Sequence, residues 1–342
     1  MAIVGYRVVA CEGGDQVGKA DAILNFSQRI LEMGLPVTYT SFPIYATPIG
    51  TCIRQFLRNG TEEFGIEPIK DLKVKMSLYA LNRLEFMNVL LSKREYKRTL
   101  ILLDRSSFSA AVTIAYGIAN NEELEDEEKV KELMEYGLDM EKLMIGKLRL
   151  SHCVVQMVAK DSPWENLRNE KKDINETDDV QGKVSYVYDL YSQKFGNGWR
   201  KIVTRTPEGW RDRGDISKDM YDFVSGRGVL EGLERKDELV SVRYEIGIEE
   251  ILKHIYHGEI LREGLLLQYL NALRGNDKDT MHVLGCEIGE SVGRTCKCIL
   301  FSNREVRESA RRICAELPEV YMIFQKYIGE EFVAKFKKAI DE

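Results

Sequence analysis

Short apolar runs alternate with longer segments of helical spacing over the first 225 residues of the chain. The short runs lie at 7–11, 37–40, 99–103, 153–158 and 201–204. Between them, apolar residues recur every three or four positions at 19–33, 49–57, 69–91, 127–148 and 181–194. Strands that alternate with helices in this way predict an α/β fold in three layers, with helices on both faces of a parallel sheet.

The pattern changes near residue 226, where Gly226, Gly228 and Gly232 precede the charged run 234–238. Beyond this point the spacing is mostly helical, with one strand candidate at 295–301 and helices at 248–257, 261–273, 304–316 and 321–339. The sequence therefore predicts two domains, 1–226 and a mostly helical 227–342. Three uses of the second domain stay open: packing on the first domain, forming the face of a homodimer, and binding a separate protein partner.

Composition and charge narrow the class of protein. The net charge of −6 gives the chain no strong general attraction to nucleic acid or to anionic membranes. No apolar run reaches the roughly 18 residues that a transmembrane helix needs, so no membrane association is expected. The seven cysteines are scattered and odd in number, which favours free thiols and a reducing, cytoplasmic location.

A glycine-rich turn between the first predicted strand and the first predicted helix is the strongest candidate for chemistry. Residues 13–19 fit the spacing G-x-x-x-x-G-K of a phosphate-binding P-loop. Gly13, Gly14 and Gly18 allow successive backbone N–H groups to point at phosphate oxygens, and the following helix adds the positive end of its dipole. Lys19 would bridge the β- and γ-phosphates, so the loop predicts phosphate binding.

The residue after Lys19 departs from the P-loop pattern. A P-loop carries Ser or Thr there, and its hydroxyl is a ligand of Mg²⁺. This chain has Ala20, which cannot coordinate a metal. The next residue, Asp21, is the alternative metal ligand, but its side chain starts about 100° farther round the helix, so the usual Mg²⁺ geometry is not predicted here.

Several motifs in sequence order resemble those of the thymidylate kinase family, over about residues 5–225. The motifs are Glu12-Gly13-Gly14-Asp15, Phe42-Pro43, Leu78-Tyr79-Ala80-Leu81-Asn82-Arg83 and Asp104-Arg105-Ser106. Glu176 and Gln181 match the spacing that follows the lid of that family. The resemblance implies a P-loop three-layer α/β/α fold for this part of the chain.

The resemblance also implies roles for individual residues. Lys19, Asp104, Arg105 and a lid residue, Arg168, would be catalytic, and Asp104 would hold Mg²⁺ or its water. The donor phosphates would lie on Gly13, Gly14, Gly18 and Lys19. The acceptor would be bound by Asp15 near the sugar, Tyr79 against the base, Arg83 and Arg105 on the phosphate, and by Phe42 and Gln181.

Together the motifs imply a nucleoside monophosphate kinase that transfers the γ-phosphoryl group of ATP, with Mg²⁺, to a deoxynucleoside monophosphate, and dTMP is the expected acceptor. Ala20 favours a second interpretation, in which the chain is a kinase-like nucleotide-binding module with impaired transfer. That module would serve a structural or regulatory role through residues 227–342.

Overall fold

A computed structural model of the chain describes residues 7–43, 48–92, 99–121, 124–145, 153–160, 178–234 and 304–341. Its strands are β1 (Arg7–Glu12), β2 (Val37–Ser41), β3 (Leu100–Asp104), β4 (Cys153–Ala159), β5 (Trp199–Thr206) and β6 (Gly209–Trp210). The longer helices are α1 (Lys19–Glu32), α2 (Pro48–Asn59), α3 (Pro68–Ser92), α4 (Ala110–Asn120), α5 (Glu127–Ile145), α6 (Asp178–Phe195), α7 (Arg213–Gly226), α8 (Arg304–Glu316), α9 (Glu319–Tyr327) and α10 (Glu330–Asp341).

The strands form one sheet in the order β2-β3-β1-β4-β5-β6. The first five strands of this sheet run parallel, and β6 pairs antiparallel to β5 at one edge. In the register between β1 and β3, Cys11 lies opposite Asp104, so both strands end at the same edge. Open parallel sheets bind ligands at this carboxyl edge, which is where the loop after β1 begins.

Helices cover both faces of the sheet, because the central strands are apolar on both sides. Val9 and Cys11 point to a core that they share with α1 and α7. Ala10 points to the opposite core, which contains residues of α4 and α6. The predicted three-layer α/β fold with a parallel sheet is therefore confirmed.

Two helical predictions differ from the structure. The sequence pattern did not identify α7, because charged residues obscure its apolar stripe of Ile216, Met220 and Val224, all of which are buried. The predicted continuous helix 321–339 is wrong: α9 and α10 are separate helices. Gly329 has φ +110°, a conformation that interrupts a helix and that glycine adopts at little cost.

The chain divides into two compact units. The described part of the first contains the sheet, helices α1 and α4 to α7, and α3 as far as Met76. The described part of the second contains 42–43, 48–61, α3 from Ser77, and helices α8 to α10. Within the second unit, the hydroxyl of Tyr327 in α9 donates to the carbonyl of Gly60 after α2, at 3.4 Å. The units do not divide at residue 226, and the domain pair 1–226 and 227–342 stays a prediction from the sequence.

Among the residues that the structure describes, no helix has the length and apolar character needed to cross a membrane. The C-terminal end does contain a small aromatic core, in which Phe324 packs edge-on against Phe332 and Phe336 at centroid distances of 5.5 and 5.2 Å. The predicted helices 248–257 and 261–273 and the strand candidate 295–301 lie outside the described residues.

Candidate functional site

The loop that joins β1 to α1 has the backbone shape of a phosphate cradle. Gly13 and Gly18 have φ values of +142° and +77°, and Gln16 also lies in the left-handed region, with φ +59°. A Cβ atom built on Gly13 would lie 2.5 Å from the carbonyl oxygen of Met157, so only glycine fits there. The loop leads directly into α1, whose first residue is Lys19. The predicted P-loop context of strand, turn and helix is therefore present.

The ammonium group of Lys19 is folded back onto this loop. Its Nζ atom donates to the carbonyl oxygens of Gly13 at 3.2 Å and Gly14 at 2.7 Å, and only 9% of the residue is exposed. Burial, and next the nearby Arg105, lower the pKa of Lys19, although the carboxylates of Asp104, Asp15 and Glu12 act in the opposite direction. A buried cation that donates hydrogen bonds to neutral carbonyls is well placed to exchange them for a phosphate anion.

Asp15 lies in the middle of the loop and is held by two other elements. Its carboxylate forms an ion pair with Arg105 and accepts from the amide nitrogen of Gln181 at 3.0 Å. The backbone N–H of Asp15 donates to the side-chain oxygen of Gln181, also at 3.0 Å. Gln181 belongs to α6, so this pair of bonds fixes the loop to a helix 166 residues farther along the chain.

Arg105 follows β3 in an uncommon backbone conformation, with φ +69°. Its N–H donates to the carbonyl oxygen of Cys11 at 3.0 Å, which locks this bend against the end of β1. A left-handed arginine stabilised by its surroundings is typical of functional sites. Burial opposes the charge of Arg105, but Asp15 and other acidic groups raise its pKa above the ordinary value, so the guanidinium stays charged.

Asp104, the last residue of β3, has one carboxylate oxygen that accepts no hydrogen bond from the described residues. Its Oδ2 atom accepts from the hydroxyl of Ser41 at 3.1 Å. Its Oδ1 atom is buried, and no described group donates a hydrogen bond to it. An orphaned carboxylate oxygen at the carboxyl edge of the sheet suits Mg²⁺ or a water bound to Mg²⁺. Within the described ranges, no group of three or more His, Cys, Asp or Glu side chains could hold a metal.

Glu12, which no sequence pattern marks as a site residue, accepts four hydrogen bonds beside the loop. It has no exposed surface. One carboxylate oxygen accepts from the N–H of Ser106 at 2.7 Å and from its hydroxyl at 2.6 Å. The other accepts from the hydroxyls of Ser109 at 2.6 Å and Tyr188 at 2.8 Å. One feature of the sequence could have indicated a buried, bonded Glu12: its carboxylate directly follows the apolar residues of β1.

Three residues expected to bind the acceptor belong to the second unit. Phe42 precedes Pro43 and is buried, as is Arg83 in α3. Tyr79 lies one turn before Arg83 and packs edge-on against Phe56 of α2, with ring centroids 5.9 Å apart. Tyr79 and Arg83 therefore share a face of α3, as their spacing predicted.

The first unit thus brings together Asp15, Lys19, Arg105 and Gln181, with Asp104 at the adjacent strand end. The lid residue expected to be catalytic, Arg168, lies outside the described residues, as does Glu176. The roles of all these residues stay predictions.

Asp15→Asn is expected to make the fold less stable at neutral pH and less sensitive to acid. Burial raises the pKa of Asp15, but Arg105, Lys19 and the bonds from Gln181 and Arg105 lower it further, so the net pKa lies below its ordinary value. A carboxylate with a lowered pKa stabilises the fold fully at pH values above its pKa in the unfolded chain, which is about 4. That contribution is lost as the pH falls through its lower pKa in the folded protein. We expect the variant to lose about 1–2 kcal/mol at pH 7.

Urea unfolding of the wild type and the variant, from about pH 6 down to about pH 2, would measure this difference. Asp222→Asn, on the exposed side of α7, is the matched control and should follow the wild-type profile. Parallel profiles for the wild type and Asp15→Asn would show that the ion pair contributes nothing to the acid dependence.

No family model and no curated protein sequence matches the chain. Among the solved structures similar to it is thymidylate kinase from Candida albicans, a structure described as revealing the origin of broad substrate specificity and a novel structural element. The two chains are 18% identical over 66% of this chain and 94% of that one, with a TM-score of 0.48.

Proposed function

We propose that this chain is a nucleoside monophosphate kinase that transfers the γ-phosphoryl group of ATP to a deoxynucleoside monophosphate, with dTMP as the expected acceptor. The observation that carries the proposal is the buried Lys19 ammonium on the glycine loop, with the Asp15–Arg105 ion pair beside it. One cation would serve the donor phosphates and the other the acceptor phosphate.

The donor would bind by displacing the contacts that the loop now makes with itself. The carbonyls of Gly13 and Gly14 are neutral acceptors, whereas phosphate oxygens are charged and form stronger hydrogen bonds with an ammonium group. The loop amides and the N-terminus of α1 would hold the remaining phosphate charge. Lys19 would then neutralise charge on the β- and γ-phosphates during transfer.

Mg²⁺ would be held through Asp104 and not through the loop. Ala20 offers no hydroxyl, and the buried Oδ1 of Asp104 is the described oxygen that fits a metal-bound water. The ion, when bound, would neutralise phosphate charge and help to orient the phosphates. Ser41, which donates to the other oxygen of Asp104, would keep the carboxylate oriented.

The acceptor phosphate would take the place of Asp15 as a partner of Arg105. A guanidinium can bind two phosphate oxygens at once, and its planar shape directs the attacking oxygen. The motif resemblance assigns Tyr79 to the base, Arg83 to the phosphate and Phe42 to acceptor binding. Asp15, still held by Gln181, would be available to the sugar hydroxyl.

In the transfer step, an oxygen of the acceptor phosphate forms a bond to the γ-phosphorus. The bond from that phosphorus to the β,γ-bridging oxygen breaks, and ADP leaves with the electron pair. The protein contributes position and positive charge, because little covalent chemistry is needed. Lys19, Arg105 and the lid residue Arg168 would supply this charge.

A second candidate function follows from Ala20. Without the loop hydroxyl, the chain could bind nucleotides without transferring phosphate and act as a structural or regulatory module through residues 227–342. This candidate predicts nucleotide binding without diphosphate formation.

Incubation of the full chain with ATP, Mg²⁺ and each common nucleoside monophosphate tests both candidates. We expect ADP and a nucleoside diphosphate in equal amounts, with dTMP giving the highest turnover. Arg105→Ala should lower turnover about 100-fold, whereas Arg200→Ala, on the exposed side of β5, should not change it. ATP binding without turnover on any acceptor would reject the kinase and favour the second candidate.

A further inference from the structure

The C-terminal helices belong to the same compact unit as three of the residues assigned to the acceptor. The described part of this second unit contains Phe42, Tyr79 and Arg83 together with α2 and with α8 to α10. Within it, Cα atoms of α9 approach Cα atoms of α2 to 8 Å or less. This contact corresponds to the first use that the sequence leaves open for residues 227–342, packing on the part of the chain before residue 226.

Hydrogen bonds connect the ends of these two helices. Tyr327 is the last residue of α9, and its hydroxyl donates to the carbonyl oxygen of Gly60 at 3.4 Å. Gly60 follows α2 with φ +75°, and its N–H donates to the carbonyl oxygen of Phe56 at 2.7 Å. A left-handed glycine that bonds back in this way ends a helix, since glycine adopts the conformation at little cost. Tyr327 therefore holds the residue that terminates α2.

Phe56 links the end of α2 to Tyr79. Its ring is buried and meets the ring of Tyr79 edge-on, at an interplanar angle of 78°. Tyr79 itself is only partly buried, whereas its neighbours Leu78 and Ala80 have no exposed surface. Tyr79 therefore combines an aromatic contact that orients its ring with surface that a ligand can reach.

The other two C-terminal helices keep α9 in place. Phe324 of α9 packs on Phe332 and Phe336 of α10. The hydroxyl of Tyr321 in α9 is hydrogen-bonded to the thiol of Cys314 in α8. The support for the end of α2 is therefore a packed group of three helices.

We propose that the C-terminal helices position the acceptor base, through Tyr327, the end of α2 and the ring of Tyr79. This inference rests on the proposed function, because that function assigns the base to Tyr79. A ring that is held in one orientation before the ligand arrives loses little freedom on binding, so the acceptor binds more tightly. Lys19 and Arg105 belong to the first unit, so the support acts on acceptor affinity and leaves phosphoryl transfer unchanged. Tyr327 is thus a positioning residue.

Steady-state kinetics of variants of the full chain with ATP and dTMP test this role. Tyr327→Ala is expected to raise the KM for dTMP about tenfold, because it removes the whole side chain between α9 and Gly60. Tyr327→Phe removes the hydroxyl alone and should raise this KM about threefold. In both variants, kcat and the KM for ATP should stay within about a factor of two. Calorimetric titration with inorganic tripolyphosphate, a probe of the glycine loop that carries no base, should give the wild-type affinity.

Met322→Ala is the control in the same helix, because this residue of α9 is 43% exposed and its loss should not change the KM for dTMP. A second comparison tests the route through Tyr79. In a Tyr79→Ala background, Tyr327→Ala should raise the KM for dTMP by less than about twofold, since the ring that it supports is already absent. Thermal unfolding checks that each variant is folded, and Tyr327→Phe decides the question if Tyr327→Ala does not fold.

Two results would overturn the positioning role while leaving the kinase activity intact. One is an unchanged KM for dTMP in the Tyr327 variants, and the other is full additivity of Tyr327→Ala and Tyr79→Ala. Absence of turnover by the wild type with any nucleoside monophosphate would instead overturn the proposed function, and the role of the C-terminal helices with it.

Discussion

Lys19→Met is expected to lower phosphoryl transfer by at least about 100-fold, since a positioned cation in a buried site contributes roughly 3–4 kcal/mol to the transition state. Methionine keeps much of the length and apolar surface of lysine, but it cannot donate a hydrogen bond or neutralise charge. Lys19 is the cation whose ammonium lies on the loop carbonyls, and its burial strengthens any interaction with a phosphate that enters. Initial rates with ATP and dTMP, at saturating concentrations of both, measure the effect on kcat.

Lys218→Met is the matched control for this change. Lys218 lies on the exposed side of α7, so its replacement should leave turnover within a factor of two. Tripolyphosphate affinity should fall together with turnover in Lys19→Met and remain constant in the control. Retention of more than a third of wild-type turnover in Lys19→Met would rule out the proposed role of the lysine.

Glu12→Gln is expected to reduce the free energy of unfolding by about 3 kcal/mol, because four donors point at its two carboxylate oxygens. The amide replaces one oxygen with an NH₂ group, which cannot accept the hydrogen bonds that oxygen received. Glu12 has no exposed surface, so water cannot compensate. The variant should also loosen Ser106, next to Arg105, and lower turnover.

Urea unfolding at pH 7 measures this loss, with Glu32→Gln as the control. Glu32 is an exposed residue of α1 and accepts one bond from Gln28 at 3.0 Å, so its substitution should cost no more than about 0.5 kcal/mol. Tyr188→Phe removes one of the four donors and should cost about 1 kcal/mol. A Glu12→Gln protein as stable as the control would mean that the network contributes nothing to the fold.

Local patterns predicted most of the described α/β architecture. The apolar run 99–103 differs by one residue from β3, and the helical spacing over 304–316 has the same bounds as α8. Such signals are local, because strand and helix periods require only neighbouring residues. The glycine loop was equally visible, since its backbone conformation depends on glycines within six positions.

The sequence did not predict elements that are very short or whose apolar positions are hidden among charged residues. β6 has two residues, too few for any period, and its place is decided by pairing with β5. α7 buries three apolar residues at four-residue spacing, but its many charged positions conceal that stripe. The separation of α9 from α10 depends on the single residue Gly329, whose left-handed conformation the helical pattern does not indicate.

The candidate site likewise has a part that the sequence predicts and a part that it does not. Glycine spacing selected Lys19, and the resemblance of short motifs to those of thymidylate kinases selected Asp15, Asp104 and Arg105. Both kinds of signal are properties of short segments. The tertiary structure decided what each of these residues contacts: Arg105 pairs with Asp15, and Gln181 holds that carboxylate from a distant helix.

The glycine loop and the alternation of strands and helices are thus determined by residues that are close together in the chain. The Glu12 network is not, because its members meet only when β1, the segment after β3, and α6 have packed together. Hydrogen bonds and ring contacts between segments more than 90 residues apart depend on the path of the whole sheet, and no local period carries that information.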